Sequence, residues 1–74
     1  MKLMEMSLGK YIYIIEEQFN KVIVIYRKDK DGSIIGIVYE REMISGNFKI
    51  NCEDSIAKQY KIVYDRFIAL KAFL

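Results

Sequence analysis

Histidine, proline and tryptophan are absent from this chain, and cysteine occurs once, as Cys52. Each absence closes a route. Without histidine no Cys–His nucleophilic pair can form, so Cys52 has no imidazole to draw off its proton. One thiol and no imidazole fall short of the three or four Cys or His ligands of a structural zinc site. A single cysteine also excludes an intramolecular disulfide. No apolar run approaches the ~20 residues of a membrane span. The opening stretch, MKLMEMSLGKY, carries neither a long apolar core nor a small-residue cleavage site, so a secretory leader is not expected. A free thiol without an export signal makes the cytoplasm the expected compartment. The net charge of +2 is too small to argue for a polyanionic partner by itself.

What is present is a chain of 74 residues, 53% hydrophobic. That excludes disorder and reads as one domain over residues 1–74. In so short a chain, burial at ~25 cal/mol per Å² nearly cancels an ordering cost of ~1.5 kcal/mol per residue. With the disulfide and metal routes closed, association is the remaining source of extra stability.

Runs rich in β-branched and aromatic residues predict strands over Lys10–Gln18, Lys21–Lys28 and Ser33–Arg41. A tight break falls at Phe19-Asn20, and KDKDGS supplies turn chemistry. Phe48, Ile50 and Cys52 alternate with Lys49 and Asn51, which reads as a short fourth strand. Met4, Met6 and Leu8 are in phase for an edge strand within Met1–Leu8. From Glu53 the period changes to about three and a half. There Ile56, Tyr60, Val63, Phe67, Leu70 and Leu74 mark one helical face. Asn51 is the expected N-cap, with Asp54 in the capping-box position. The fold class is therefore α+β. It is a three- to four-stranded antiparallel meander, β-β-β-(β)-α, with one long C-terminal helix packed on one face.

The stretch KVIVIYR, Lys21–Arg27, raises a coverage problem, because both of its faces are apolar. A two-residue loop at Phe19-Asn20 pairs Glu17 with Val22 and Ile15 with Val24. A four-residue loop at Asp29–Gly32 pairs Tyr26 with Ile35. On that register Tyr11, Tyr13, Ile15, Val22, Val24, Tyr26, Ile35, Ile37 and Tyr39 share one face. Ile12, Ile14, Ile23, Ile25, Ile34, Gly36 and Val38 share the other. A loop longer or shorter by one residue exchanges part of these sets.

The aliphatic face is the expected seat of the helix, with Gly36 leaving a hollow for close approach. A helix ~10 Å wide covers most of one face of a sheet ~15–19 Å across and none of the other. The tyrosine-bordered face is then left for a second copy or another protein. Its expected interface residues are Tyr11, Tyr13, Val24, Tyr26, Ile37 and Tyr39. The competing expectation is that Met1–Leu8 folds back over that face. Ile62, Ala69 and Phe73 form a narrower stripe suited to a helix–helix contact in an oligomer.

No group of residues assembles into a reaction centre. With Gly32 as the sixth position of a calcium loop, the first would be Arg27 and the twelfth Val38, and both ligand-bearing ends are lost. Glu16 and Glu17 point to opposite sides of one strand. Glu40 and Glu42 sit at a strand end beside Arg41. No catalytic, cofactor or metal residue is assigned, and the expectation is a non-enzyme without small-molecule substrate or cofactor. The alternative is a nucleic-acid-binding regulator using Arg27, Lys28 and Lys30 of the hairpin with Lys58, Lys61 and Arg66 of the helix. The helical three spread around the outer surface, and Asp29 and Asp31 dilute the hairpin cluster. Specific binding shows denser basic footprints.

The segment FKINCEDSIAKQYKIVYDRFIAL, through Phe48, Glu53, Asp54, Ala57 and Tyr64, resembles a known strand-into-helix unit. It is that of the three-stranded DNA-binding domains in phage integrase arms and plant ethylene-response factors. Those families read the major groove with Arg and Trp on the sheet. This sheet offers Ile, Val and Tyr, so the resemblance implies topology and not groove reading. In size, composition and lack of catalytic groups the chain also resembles the short orphan proteins of phages and mobile elements, anti-CRISPR and other anti-defence inhibitors among them. The expected function is a homodimeric regulator or inhibitor that binds another macromolecule in the (host) cytoplasm. A structural subunit of a larger assembly is a further possibility.

Overall fold

Strands β1 (Lys2–Leu8), β2 (Tyr11–Glu17), β3 (Ile23–Lys28) and β4 (Ile34–Tyr39) form one antiparallel sheet in chain order. The computed structural model describes residues 1–73. A short helix α1 (Glu40–Ser45), a 3-10 turn (Asn47–Asn51) and a long helix α2 (Asp54–Lys71) follow. This is the α+β meander closed by a C-terminal helix that the periodicity predicts.

The fourth strand lies at the start of the chain. Met4, Met6 and Leu8 stand opposite Ile15, Tyr13 and Tyr11 and pack against the core. Gly9, at φ 62, opens the two-residue turn into β2, where a residue without Cβ adopts the left-handed backbone freely. Met1–Leu8 therefore extends the sheet edge and does not fold over a face. The alternating Phe48, Ile50 and Cys52 form no strand. They belong to the 3-10 turn and the residue after it, with Phe48 buried and Ile50 exposed. The strand half of the strand-into-helix resemblance is thereby removed.

The β2–β3 hairpin has three loop residues, one more than expected. The Gln18 N–H donates to the Val22 carbonyl at 2.7 Å, and the Lys21 N–H to the Gln18 carbonyl at 3.1 Å. Asn20 and Lys21 occupy the left-handed region at φ 65 and 61, a backbone that asparagine adopts more readily than most residues. The extra residue sets Ile25, not Val24, opposite Ile15, and Ile23, not Val22, opposite Glu17. One step of register turns every β3 side chain to the other side of the sheet relative to β2. Tyr11, Tyr13 and Ile15 consequently face inward with Ile23 and Ile25, and Ile12 and Ile14 face outward with Val24 and Tyr26. The predicted single tyrosine face does not exist.

Asp29 organises the next hairpin. Its N–H donates to the Ser33 carbonyl, and its carboxylate accepts from the N–H groups of Asp31 and Ser33 at 2.9 and 3.0 Å. A register shift beside Arg27 then places Tyr26 opposite Ile37 and Val24 opposite Tyr39. The displacement from the expected register is two residues, so sidedness survives and Gly36 and Val38 point inward.

Two lids share the inward face. Helix α2 lays Ala57, Tyr60, Val63 and Phe67 on it. Leu70 of the predicted stripe is half exposed, and Leu74 lies outside the described residues. Glu53, not Asn51, is the N-cap, and no side chain bonds the first turn. Helix α1 begins with Glu40 and Arg41, residues expected to end the third strand. The Glu42 carboxylate accepts the Tyr39 N–H at 3.2 Å, and Gly46, at φ 82, returns its N–H to the Glu42 carbonyl. This small helix brings Met43, and the 3-10 turn brings Phe48, into the same core as Val38.

Burying Tyr13 requires an acceptor for its hydroxyl. Gln59 supplies one, at 2.6 Å. The hollow at Gly36 is filled by Tyr60, whose hydroxyl oxygen lies 2.5 Å from where a Cβ on Gly36 would stand. Gly36→Ala is expected to cost about 1–3 kcal/mol by overpacking. Tyr60→Phe, which removes that oxygen, is expected to recover part of the loss in the same background. Urea midpoints of the two single variants and the double variant measure the coupling.

Candidate functional site

Two surfaces stand out once the register is fixed. The first is the outward side of the sheet, which no helix covers. Val24 sits at its centre, fully buried among its in-plane neighbours yet outside the main core cluster. Around it stand Ile12, Ile14, Tyr26 and Tyr39, all partly buried, and Ile34 and Ile37, each 51% exposed. The Gln18 side chain hydrogen-bonds the Tyr26 hydroxyl, and the Arg41 guanidinium stacks 4.9 Å from the Tyr39 ring centroid. Of the six residues predicted for an interface, Val24, Tyr26, Ile37 and Tyr39 lie on this side. Tyr11 and Tyr13 lie on the other, and Tyr13 is fully buried. Ile12 and Ile14 take their place. The signal that would have placed them is Asn20, whose tolerance of the left-handed backbone favours the longer loop.

The sheet has two free edges of different character. β1 carries Lys2 and Glu5, which form an ion pair at 3.3 Å. β4, IIGIVY, carries no charge and no proline along its length. Charges and prolines are the usual guards against strand addition, and β4 lacks both.

The second surface is a cleft of about 730 Å³ on the inward side, between β4, the 3-10 turn and the start of α2. It marks the gap between the two lids. Arg27 lines it together with Tyr11, Gly36, Phe48, Cys52 and Tyr60. The guanidinium carbon lies 4.8 Å from the Tyr11 ring centroid and 6.0 Å from that of Tyr60. Arg27 Nε is buried without a hydrogen-bond partner. The ion pairs among the described residues, Lys2–Glu5 and Lys61–Asp65, do not involve it.

Burial pushes the Cys52 thiol up, against the opposing pull of Arg27, which disfavours the nucleophilic thiolate. Burial also raises Tyr13, again opposed by Arg27. Tyr60 is pushed up to about 12, burial outweighing Arg27. Tyr64 reaches about 12 as well, through burial first and then its 3.0 Å hydrogen bond to the Glu40 carboxylate. Among the described residues no group of three or more Cys, Asp or Glu side chains is placed to hold a metal ion.

The six basic residues of the nucleic-acid alternative do not gather. Arg27 lies in the inward cleft, Lys28 on the outward side opposite Ile12, and Lys30 in the loop. Lys58 and Arg66 are exposed on α2, and Lys61 is tied to Asp65 at 3.1 Å. No described helix is long and apolar enough to cross a membrane.

Compared with known proteins, the chain matches no family model, no curated protein sequence and no solved structure.

The tyrosine shifts carry a pH signature. A phenol whose pKa is higher in the folded state binds its proton more tightly there, so folding gains nothing from pH changes below about 10 and loses stability above it. Absorbance at 295 nm is expected to show Tyr60 and Tyr64, of six tyrosines, ionising late, near 12. Stability in urea should fall between the ordinary tyrosine pKa of about 10 and that value, and Tyr60→Phe should remove one late step.

Proposed function

We propose that the protein is a non-enzymatic interaction protein that pairs with a second copy of itself along β4 and offers its outward sheet row to a macromolecular target. The observation that carries this reading is the uncharged, proline-free β4 edge beside an uncovered apolar row. Two β4 strands meeting antiparallel about a two-fold axis would satisfy each other's free N–H and C=O groups. They would bring isoleucine against isoleucine, with no like charges opposed. The two outward rows would then run on as one surface carrying Ile12, Ile14, Tyr26 and Tyr39 from each copy. Tyrosine-bearing apolar surface of that kind suits protein contact. A regulator or inhibitor of the anti-defence type acts by occupying its target, which requires no reactive group. A cytoplasmic site of action is consistent with the free thiol.

Light scattering coupled to size exclusion tests the pairing. The expected mass at micromolar concentration is that of two 8.8 kDa chains, unchanged by added salt, whereas contacts made to phosphate weaken steeply as salt rises. Ile37→Lys places a charge at an exposed edge position, where the fold tolerates it within about 0.5 kcal/mol, and is expected to yield a folded monomer. A monomeric wild type, or a variant that still dimerises, would overturn the reading.

A further inference from the structure

The inward cleft holds a cation that forms no ion pair among the described residues. Arg27 is drawn between the Tyr11 and Tyr60 rings, and its Nε is sealed from solvent with no acceptor. The Nε–H so placed has lost water and gained no acceptor, which favours an anion that reaches the half-buried guanidinium from the cleft. The position is fixed from beneath by Gly36, since a Cβ there would meet Arg27 Nε at 3.3 Å and the Tyr60 hydroxyl at 2.5 Å. The space is right for a ligand. At about 730 Å³ it falls within the ~300–1,000 Å³ typical of small-molecule sites.

We infer that this cleft binds a singly charged carboxylate carried on an apolar body, the carboxylate pairing with Arg27. The walls decide the class. Ile35, Ile50, Ile56 and Phe48 contribute apolar patches to a lining that is more polar than apolar as a whole, with Glu42 and Glu53 at the opening. One guanidinium facing two acidic side chains disfavours a doubly charged phosphate. A planar carboxylate matches the two-pronged guanidinium and adds only one negative charge. The apolar body can be that of a free branched acid or the last side chain of a peptide with a free C-terminus. The inference concerns the inward side of the sheet and does not depend on pairing along β4: solution mass reports on the one, and acid-against-amide preference on the other.

The test is an amide-shift titration of the labelled protein with 4-methylpentanoate and, in parallel, with 4-methylpentanamide. Saturable shifts are expected at Gly36, Tyr60 and the Arg27 Nε–H. The acid is expected to bind at least about tenfold more tightly than the amide, the ratio that ~1.4 kcal/mol of charge pairing produces. Arg27→Gln should abolish the preference for the acid, and Arg27→Lys should retain part of it. Should Arg27→Gln not fold, the wild-type ratio and the lysine variant still decide. A short leucine-ended peptide with a free terminus, run against its amidated form, distinguishes the two sources. Preference for the free terminus identifies a chain end, and binding of the free acid alone identifies a small metabolite-like acid. Equal affinity for acid and amide, absence of saturation, or shifts that track the exposed lysines would overturn the assignment.

Discussion

The packing of Tyr60 is the constraint on which the rest of the molecule depends. Its ring meets Tyr13 edge-on with centroids 5.3 Å apart, meets Phe48 at 6.4 Å, and sends its hydroxyl over the bare backbone of Gly36. One side chain of α2 thereby joins β2, β4 and the 3-10 turn. Edge-on aromatic pairs add about 0.5–1.5 kcal/mol each beyond the area they bury. Their larger effect here is geometric. With Tyr60 locked, α2 leans towards β1 and β2, and the β4 side of the inward face must be closed by other means.

That closure is partial. Met43 and Phe48 cover part of the β3–β4 half, and the remaining opening is the cleft over Arg27. The outward face receives no lid. The cleft and the bare row thus share one cause: among the described residues a single long helix serves a sheet with two apolar faces. The sheet is completed on one side by its own chain, while the β4 edge and outward row stay available.

The elements that were legible in the sequence are those with a sustained period. Runs of β-branched and aromatic residues over Tyr11–Glu17 and Ile23–Lys28, and the step of three and four from Ile56 to Phe67, recur as strands and helix. Gly36 was legible as a hollow because a glycine inside so apolar a strand often marks a close approach of another part of the chain. The face assignment was not, since it turned on a single loop residue. Lys21 at φ 61 is a backbone state that lysine seldom adopts, and its one herald in the sequence is the neighbouring Asn20, which tolerates the same backbone. Helix α1 was hidden by length. Six residues make under two turns, too few for a period to emerge, and they follow the apolar run of β4 without a break. Phe48, Ile50 and Cys52 mislead for the converse reason: three alternating residues suit a strand, but here one is buried, one exposed and one between. The cleft was least legible of all, since Arg27 reads as one more surface cation, and the Tyr11 ring joins it only once the register turns β2 over.

The order of the strands has a consequence for how the chain acquires this shape. Every strand pairs with its neighbour in sequence through a short turn, so the sheet can assemble from local hairpins at little loop-closure expense. The helix that shields it comes last, and it must reach back to the first strand, where Met4 and Met6 join its core. During synthesis from the N-terminal end, the finished meander would emerge from the ribosome with both greasy surfaces bare until α2 follows. For that interval the nascent chain is at its stickiest, and the speed with which residues 54–71 fold down sets how long the exposure lasts.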